Sequence, residues 1–200
     1  MLAGLLILFP LLGAFTVFLM KGKAVRLSAL GVSLGQLALT AGALIQYKTN
    51  SSSALLSLNC SWVKALGIHF SVGLDGLALL MALLTAVLVP LIILSSFKNN
   101  YEKENTFYGL ILLMQMALVG VFMANDGFLF YVFWELALIP VYFICLLWGG
   151  ENRAKITFKF FVYTLFGSLF MLVGLIYVYN HTLTANGLKS WAWQDLVNAG

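Results

Sequence analysis

Charge is scarce in this sequence. Only 9% of its 200 residues are Asp, Glu, Lys or Arg, whereas soluble domains carry about 25%, and this deficit excludes an ordinary water-soluble domain. Arginine occurs twice, as Arg26 and Arg153, so there is no arginine patch of the kind that reads nucleic-acid phosphates, and no nucleic-acid partner is expected. There are two cysteines, Cys60 in a polar connection and Cys145 inside an apolar run. They lack the spacing of a zinc or iron–sulfur site, and a disulfide between them is not expected. His69 and His181 are isolated, and no glycine-rich phosphate loop follows a strand. The chain therefore offers no nucleotide, flavin, haem or metal site of its own. Prolines number three, Pro10, Pro90 and Pro140, each within an apolar run.

What is abundant is hydrocarbon. Hydrophobic residues make up 62% of the chain and the mean hydropathy is +0.99. A bilayer-spanning helix needs about 20 apolar residues, and six runs qualify: 2–20, 27–47, 74–97, 107–124, 127–148 and 156–180. The expected fold class is all-α, a polytopic membrane helix bundle forming a single membrane domain. The first run has no basic segment before it and no cleavage site, so it reads as a retained transmembrane helix and not as a signal peptide. The longest connection, Lys48–Gly73, ends in the alternating segment Ile68–Val72, which fits a short strand. Asn125 and Asp126 form a turn so tight that runs four and five should be antiparallel neighbours. The tail after Asn180 reads as polar, with Trp191 and Trp193 suited to the membrane interface.

With the N-terminus outside, the inner connections carry Lys21, Lys23, Arg26, Lys98, Lys103, Arg153, Lys155 and Lys159, and the outer segments carry Lys48, Lys64 and Lys189. Eight basic residues against three favour this orientation by the positive-inside rule. The net charge of +4 thus reflects topology.

Within the fifth run, Gly127 to Trp148, Glu135 is the sole charged residue. A carboxylate at bilayer depth costs about 2.5–3.5 kcal/mol on the most lenient scale, and an intramembrane ionisable group is by default a functional-site candidate. Desolvation disfavours its charged form and a neighbouring cation favours it, so a group held between the two can load and release a proton. The competing reading is a Glu that fixes helix packing through hydrogen bonds. Pro140 lies five residues on and frees the carbonyl of Leu136 beside the acid, a bend that suits a hydrated pocket or a plain structural kink. Asp75 and Asp126 stand at helix starts with access to water, where capping is the natural role. The cluster Phe128, Phe130, Tyr131, Phe133 and Trp134 fits lipid-facing or packing residues better than a quinone pocket. His69 reads as structural or solvated. No lysine falls in the middle of any run, so Glu135 has no evident cationic partner in this chain.

Taken together, Phe133-Trp134-Glu135-Leu136-Ala137-Leu138-Ile139-Pro140, Gly73-Leu74-Asp75-Gly76-Leu77, the Asn125-Asp126 turn, Trp148-Gly149, Lys159-Phe160-Phe161-Val162-Tyr163-Thr164 and Gly167-Ser168 resemble the fourth membrane subunit of proton-pumping NADH:quinone oxidoreductase, respiratory complex I. The resemblance implies an antiporter-like fold of about fourteen helices with inverted repeats, of which this chain would be an N-terminal portion. Glu135 is implied as the proton-channel carboxylate, supported by Trp134 and Pro140, with a partner lysine beyond residue 200. The implied partners are the lipid bilayer and the other membrane-arm subunits, which would bind NADH, FMN, iron–sulfur clusters and quinone. The implied location is an energy-transducing inner membrane, such as the bacterial cytoplasmic membrane. The alternative is a subunit of a multisubunit Mrp-type Na⁺/H⁺ antiporter. A third possibility, a scaffold without transport, would make Glu135 a packing residue.

Overall fold

The computed structural model describes residues 2–22, 24–49, 57–63, 66–99, 101–182 and 189–199. Lys23, Lys64 and residues 50–53 of the polar stretch lie outside them. Six long helices and a short seventh follow in order: α1 (Leu2–Leu19), α2 (Ala24–Thr49), α3 (Gly76–Ser96), α4 (Glu104–Met123), α5 (Gly127–Trp148), α6 (Arg153–His181) and α7 (Trp193–Asn198). The first six are long and apolar enough to span a bilayer. Inside a bilayer every backbone N–H and C=O must be paired within the segment, and this requirement makes each long apolar run a helix.

Three helices extend beyond their apolar runs. α2, α4 and α6 each begin three residues earlier than hydropathy indicates, at Ala24, Glu104 and Arg153. Charged residues fit a helix end when their heads reach water or a partner. Arg26, expected in a connection, lies in the first turn of α2 and is bound to Glu104 in the first turn of α4.

The tightly packed part is α1 to α4. α4 lies at its centre and has 72% of its apolar window buried, against 6% for α6. Without a hydrophobic drive between helices in lipid, association rests on close van der Waals contact at small residues. Gly13 on α1 receives Val32 of α2, and Gly109 on α4 receives the ring of Phe18 from α1; a Cβ at these glycines would stand 2.3 Å and 2.6 Å from those side chains. Pro10 removes the donor that would meet the Leu6 carbonyl, and buried Gln36 supplies one from α2 at 2.9 Å. A helix interruption in α1 thus becomes a tie to α2.

One end of the bundle carries a feature hydropathy shows only in part. The expected strand is present as β2 (Ile68–Gly73), paired antiparallel with an unforeseen β1 (Ser57–Val63). The hairpin turn uses Gly67 at φ +63°, where a Cβ would strike the Lys189 carbonyl at 2.4 Å. β2 runs on to the α4–α5 turn: Val72 bridges Ala124, and Asn125 N–H donates to Ser71 at 2.9 Å. From the other side, Asp126 bridges Ala192, and Gly127 N–H donates to the Trp191 carbonyl at 2.8 Å.

Residues 189–199 lie against the α4–α5 turn and include α7, an order that the reading of a polar tail did not contain. Trp191 is buried and stacks on Tyr179 with ring centroids 4.3 Å apart, and the Trp193 indole donates to the Ala124 carbonyl at 3.1 Å. Both indoles serve packing and the clasp around this turn.

Candidate functional site

α5 begins at a built anchor. Asp126 caps it: Oδ1 accepts from the N–H groups of Phe128 (3.0 Å) and Leu129 (3.1 Å), and Oδ2 accepts from His69 N–H of β2 at 3.1 Å. The capping role is as expected, but access to water is not, because Asp126 is only 1% exposed. The hairpin and the clasp enclose it. Burial pushes its carboxyl above the ordinary carboxylate range, and the three N–H donors pull the other way without cancelling the effect. His69 contributes its backbone, and its side chain is exposed. Asp75 caps α3 in the same manner, accepting from Ala78 N–H at 2.6 Å.

From this anchor two faces of α5 diverge. Phe133 points into the core: it is buried, its ring fills the space above Gly120 of α4, and it meets Phe70 of β2 edge-on. Glu135 is half-buried, with Oε1 sealed from solvent and without a hydrogen-bond partner. Tyr131 sits four residues earlier, one turn along the same face. Its hydroxyl lies beside both the Glu135 carboxyl and the Ser168 hydroxyl of α6. Ser168 is buried and donates to the Leu165 carbonyl at 2.9 Å. Glu135, Tyr131 and Ser168 thus form a polar group across the α5–α6 contact.

Of the residues expected to support Glu135, the structure brings Pro140 inward and turns Trp134 outward. Pro140 is buried one turn further along α5 and removes the donor for the Leu136 carbonyl next to the acid. Trp134 is 42% exposed and leans on Phe130, centroids 6.0 Å apart. Phe128 and Phe130 contact Trp191 and Trp193, so this part of the aromatic cluster packs the clasp.

Sequence reading singled out Glu135 and missed Tyr131 and Ser168 as its neighbours. The four-residue spacing of Tyr131 was legible; the approach of Ser168 depends on how α6 meets α5. The ion pair among the described residues, Arg26 with Glu104, lies at the opposite end of the bundle from Asp126. Among the described residues no three His, Cys, Asp or Glu converge to hold a metal, and Cys60 and Cys145 are free and exposed.

A half-buried carboxyl with an open acceptor oxygen beside a tyrosine hydroxyl, which in turn neighbours a serine hydroxyl, can accept, hold and pass on a proton. The helix arrangement around it is that of the antiporter-like membrane subunits of respiratory complexes. The chain superimposes on respiratory complex I from Thermus thermophilus with TM-score 0.84 and 29% identity, covering 100% of this chain and 39% of the other. The likeness to the Mrp complex of Dietzia is weaker, with TM-score 0.64 and 18% identity over 92% of this chain and 20% of the other.

By sequence the chain is similar to proteins of this kind. Residues 124–190 match the family described as NADH:quinone oxidoreductase/Mrp antiporter, transmembrane. The chain is 42% identical to F(420)H(2) dehydrogenase subunit M of Methanosarcina mazei over 98% of this chain and 40% of that protein. It is 38% identical to NAD(P)H-quinone oxidoreductase chain 4 1 of Picosynechococcus over 85% of this chain and 32% of that protein. The chain therefore spans 40% or less of the length of these relatives.

Proposed function

We propose that this chain belongs to a proton-translocating, antiporter-like membrane subunit of a quinone-reducing respiratory oxidoreductase, and that Glu135 is its proton station. The observation that carries this reading is the buried, unpartnered Oε1 of Glu135 in the middle of a membrane helix. An acceptor left open at this depth leaves the carboxyl available to a proton or a cationic group. An oxygen left open, next to the Tyr131 hydroxyl and the bend at Pro140, suits a site that water or a mobile cationic group visits.

The relation to subunit M and chain 4 proteins, and the weaker likeness to an Mrp complex, favour the oxidoreductase over the Mrp-type antiporter. In this reading the redox cofactors belong to other subunits, and the chain contributes the ionisable site and no redox chemistry. The partners are neighbouring membrane-arm subunits, and the orientation places the N-terminus outside an energy-transducing membrane, as the basic connections favour.

The test is Glu135→Gln in the full-length subunit within its complex. This change keeps size and hydrogen-bonding capacity and removes the titrating proton. Assembly is expected to survive while proton transfer coupled to quinone reduction falls at least tenfold, read from acidification of membrane vesicles beside the rate of donor oxidation. Normal pumping in the variant would defeat the proton-station reading, and loss of the assembled complex would favour the packing reading.

A further inference from the structure

The end of the bundle away from the hairpin holds a cleft of about 390 Å³. Its walls come from the α1–α2 connection, the start of α2 and the start of α4. Lys21 and Lys103 line it, together with Tyr101 and Asn105. Neither lysine has an ion-pair partner among the described residues. The acid in the wall, Glu104, is taken up by Arg26, whose Nε donates to Oε2 at 2.9 Å and whose Nη2 pairs with Oε1. The cleft therefore presents net positive charge.

The walls are held in place. Arg26 also donates to the carbonyls of Phe97 (2.9 Å) and Asn99 (3.1 Å), which ties α2 to the end of α3. Asn105 donates to the Phe18 carbonyl at 2.9 Å and ties α4 to the last turn of α1. Side chains of α2 and α4 thus brace the ends of α1 and α3 around the cleft, and the backbone that carries the two lysines is held at its rim.

Its depth points to the occupant. Leu19, two residues before Lys21, is 84% exposed at the end of a membrane helix, and Leu27 is exposed just past the α2 start. Tyr101 stacks on Phe107, and Trp148 packs edge-on against the same ring and donates its indole N–H to the Glu102 carbonyl at 3.1 Å. Tyr and Trp at helix ends mark the headgroup level of a bilayer, and basic pockets between membrane helices at that level suit anionic headgroups. We propose that this cleft binds the phosphodiester headgroup of an anionic phospholipid, with Lys21 and Lys103 as its charge partners. The acyl chains would run along the apolar surface that begins at Leu19 and Leu27.

The chemistry recognised is a phosphate anion, and the test separates a lipid from a free phosphate. The protein, purified with its native partners, is placed in nanodiscs of phosphatidylcholine with and without phosphatidylglycerol, and retained lipid is counted by native mass spectrometry. Wild type is expected to keep one phosphatidylglycerol more than the variant carrying Lys21→Gln and Lys103→Gln. Apparent affinity should fall about fivefold per lysine removed, and Lys21→Arg with Lys103→Arg should retain the lipid. Equal retention by wild type and the Gln variant would overturn the proposal. So would displacement of the lipid by millimolar inorganic phosphate, which would make the site one for free phosphate. If the double Gln variant does not assemble, Lys103→Gln alone decides the matter: phosphatidylglycerol should raise the thermal midpoint of wild type and raise that of the variant less, and an equal rise would overturn the proposal.

Discussion

Replacing Gly120 with alanine places a methyl group inside the ring of Phe133. The new Cβ would lie 2.4 Å from Cδ1 and 2.6 Å from both Cε1 and Cγ, whereas carbon atoms settle at about 3.5–4.0 Å. The ring must therefore retreat by about 1 Å or more, and it has little room to do so. Phe133 is 6% exposed and meets Phe70 of the hairpin on another side. Overpacking of this kind costs about 1–3 kcal/mol. The gain in helix propensity from Gly to Ala, about 0.8–1.0 kcal/mol in water, offsets only part of that. A net loss of up to about 2 kcal/mol is expected, together with a displacement of α5 that carries Glu135 along two residues further on. The assay is a double-mutant cycle read by denaturation of the purified assembly in micelles: Gly120→Ala, Phe133→Ala and the pair. With the ring gone, the added methyl should be neutral or stabilising, so the cycle should show a coupling of about 1–3 kcal/mol. The same effect of Gly120→Ala in both backgrounds would refute the claim that this glycine sets the α4–α5 distance.

Other expectations follow from the ends of the helices and from the hydroxyl pair. Asp126→Ala should cost at least the upper part of the usual N-cap loss of about 0.5–2 kcal/mol, because three N–H donors in an enclosed site lose their acceptor; Asp126→Asn should cost less, and thermal midpoints would show the order. Since burial raises the Asp126 pKa, the folded state binds its proton more tightly than the unfolded state. Its stabilising contribution should be full below about pH 4, decline as pH rises through the raised value and stay level above it; Asp126→Asn should remove that part of the pH profile. Arg26→Gln should destabilise more than Glu104→Gln, because Arg26 also holds the Phe97 and Asn99 carbonyls; equal losses would mean that the ion pair alone matters. Tyr131→Phe keeps the ring and removes the hydroxyl beside Glu135 and Ser168; proton transfer should slow severalfold with assembly intact, and an unchanged rate would exclude the hydroxyl from the path.

The six spans and the antiparallel α4–α5 pair were legible because bilayer length and turn chemistry are local properties. Hydropathy placed α5 at its observed bounds, since a capping Asp precedes it and Gly149 follows it. It missed the starts of α2, α4 and α6, where charged residues continue the helix by finding a partner or water. The strand β2 showed in the alternation of Ile68–Val72, whereas β1, with its exposed and polar residues, has no such pattern. The burial of Asp126 and Trp191 was not legible, because it depends on a clasp closed between segments far apart in sequence. Glu135 stood out through its cost in a bilayer. The Ser168 hydroxyl gave no comparable signal, since serine is inexpensive in a membrane helix and its meaning comes from α6 lying against Tyr131.

The position of Glu135 within this uneven packing bears on how a proton station could be switched. Behind α5, Phe133 is locked over Gly120 of the deeply buried α4, and Asp126 holds the helix start from three directions. In front, α5 meets α6, whose residues are mostly exposed or half-buried within this chain. The carboxyl therefore sits between a wall that resists movement and one that has few contacts to hold it. Opening the α5–α6 contact would admit water to Oε1, and closing it would leave Tyr131 and Ser168 as the nearest polar groups. Proton affinity follows desolvation and nearby charge, so a small movement of α6 alters it without disturbing the α1–α4 core. If Glu135 serves proton transfer, substitutions that loosen α6, such as Ser168→Gly, should change the rate of proton release more than the stability of the core. Equal effects on both would place the switch elsewhere.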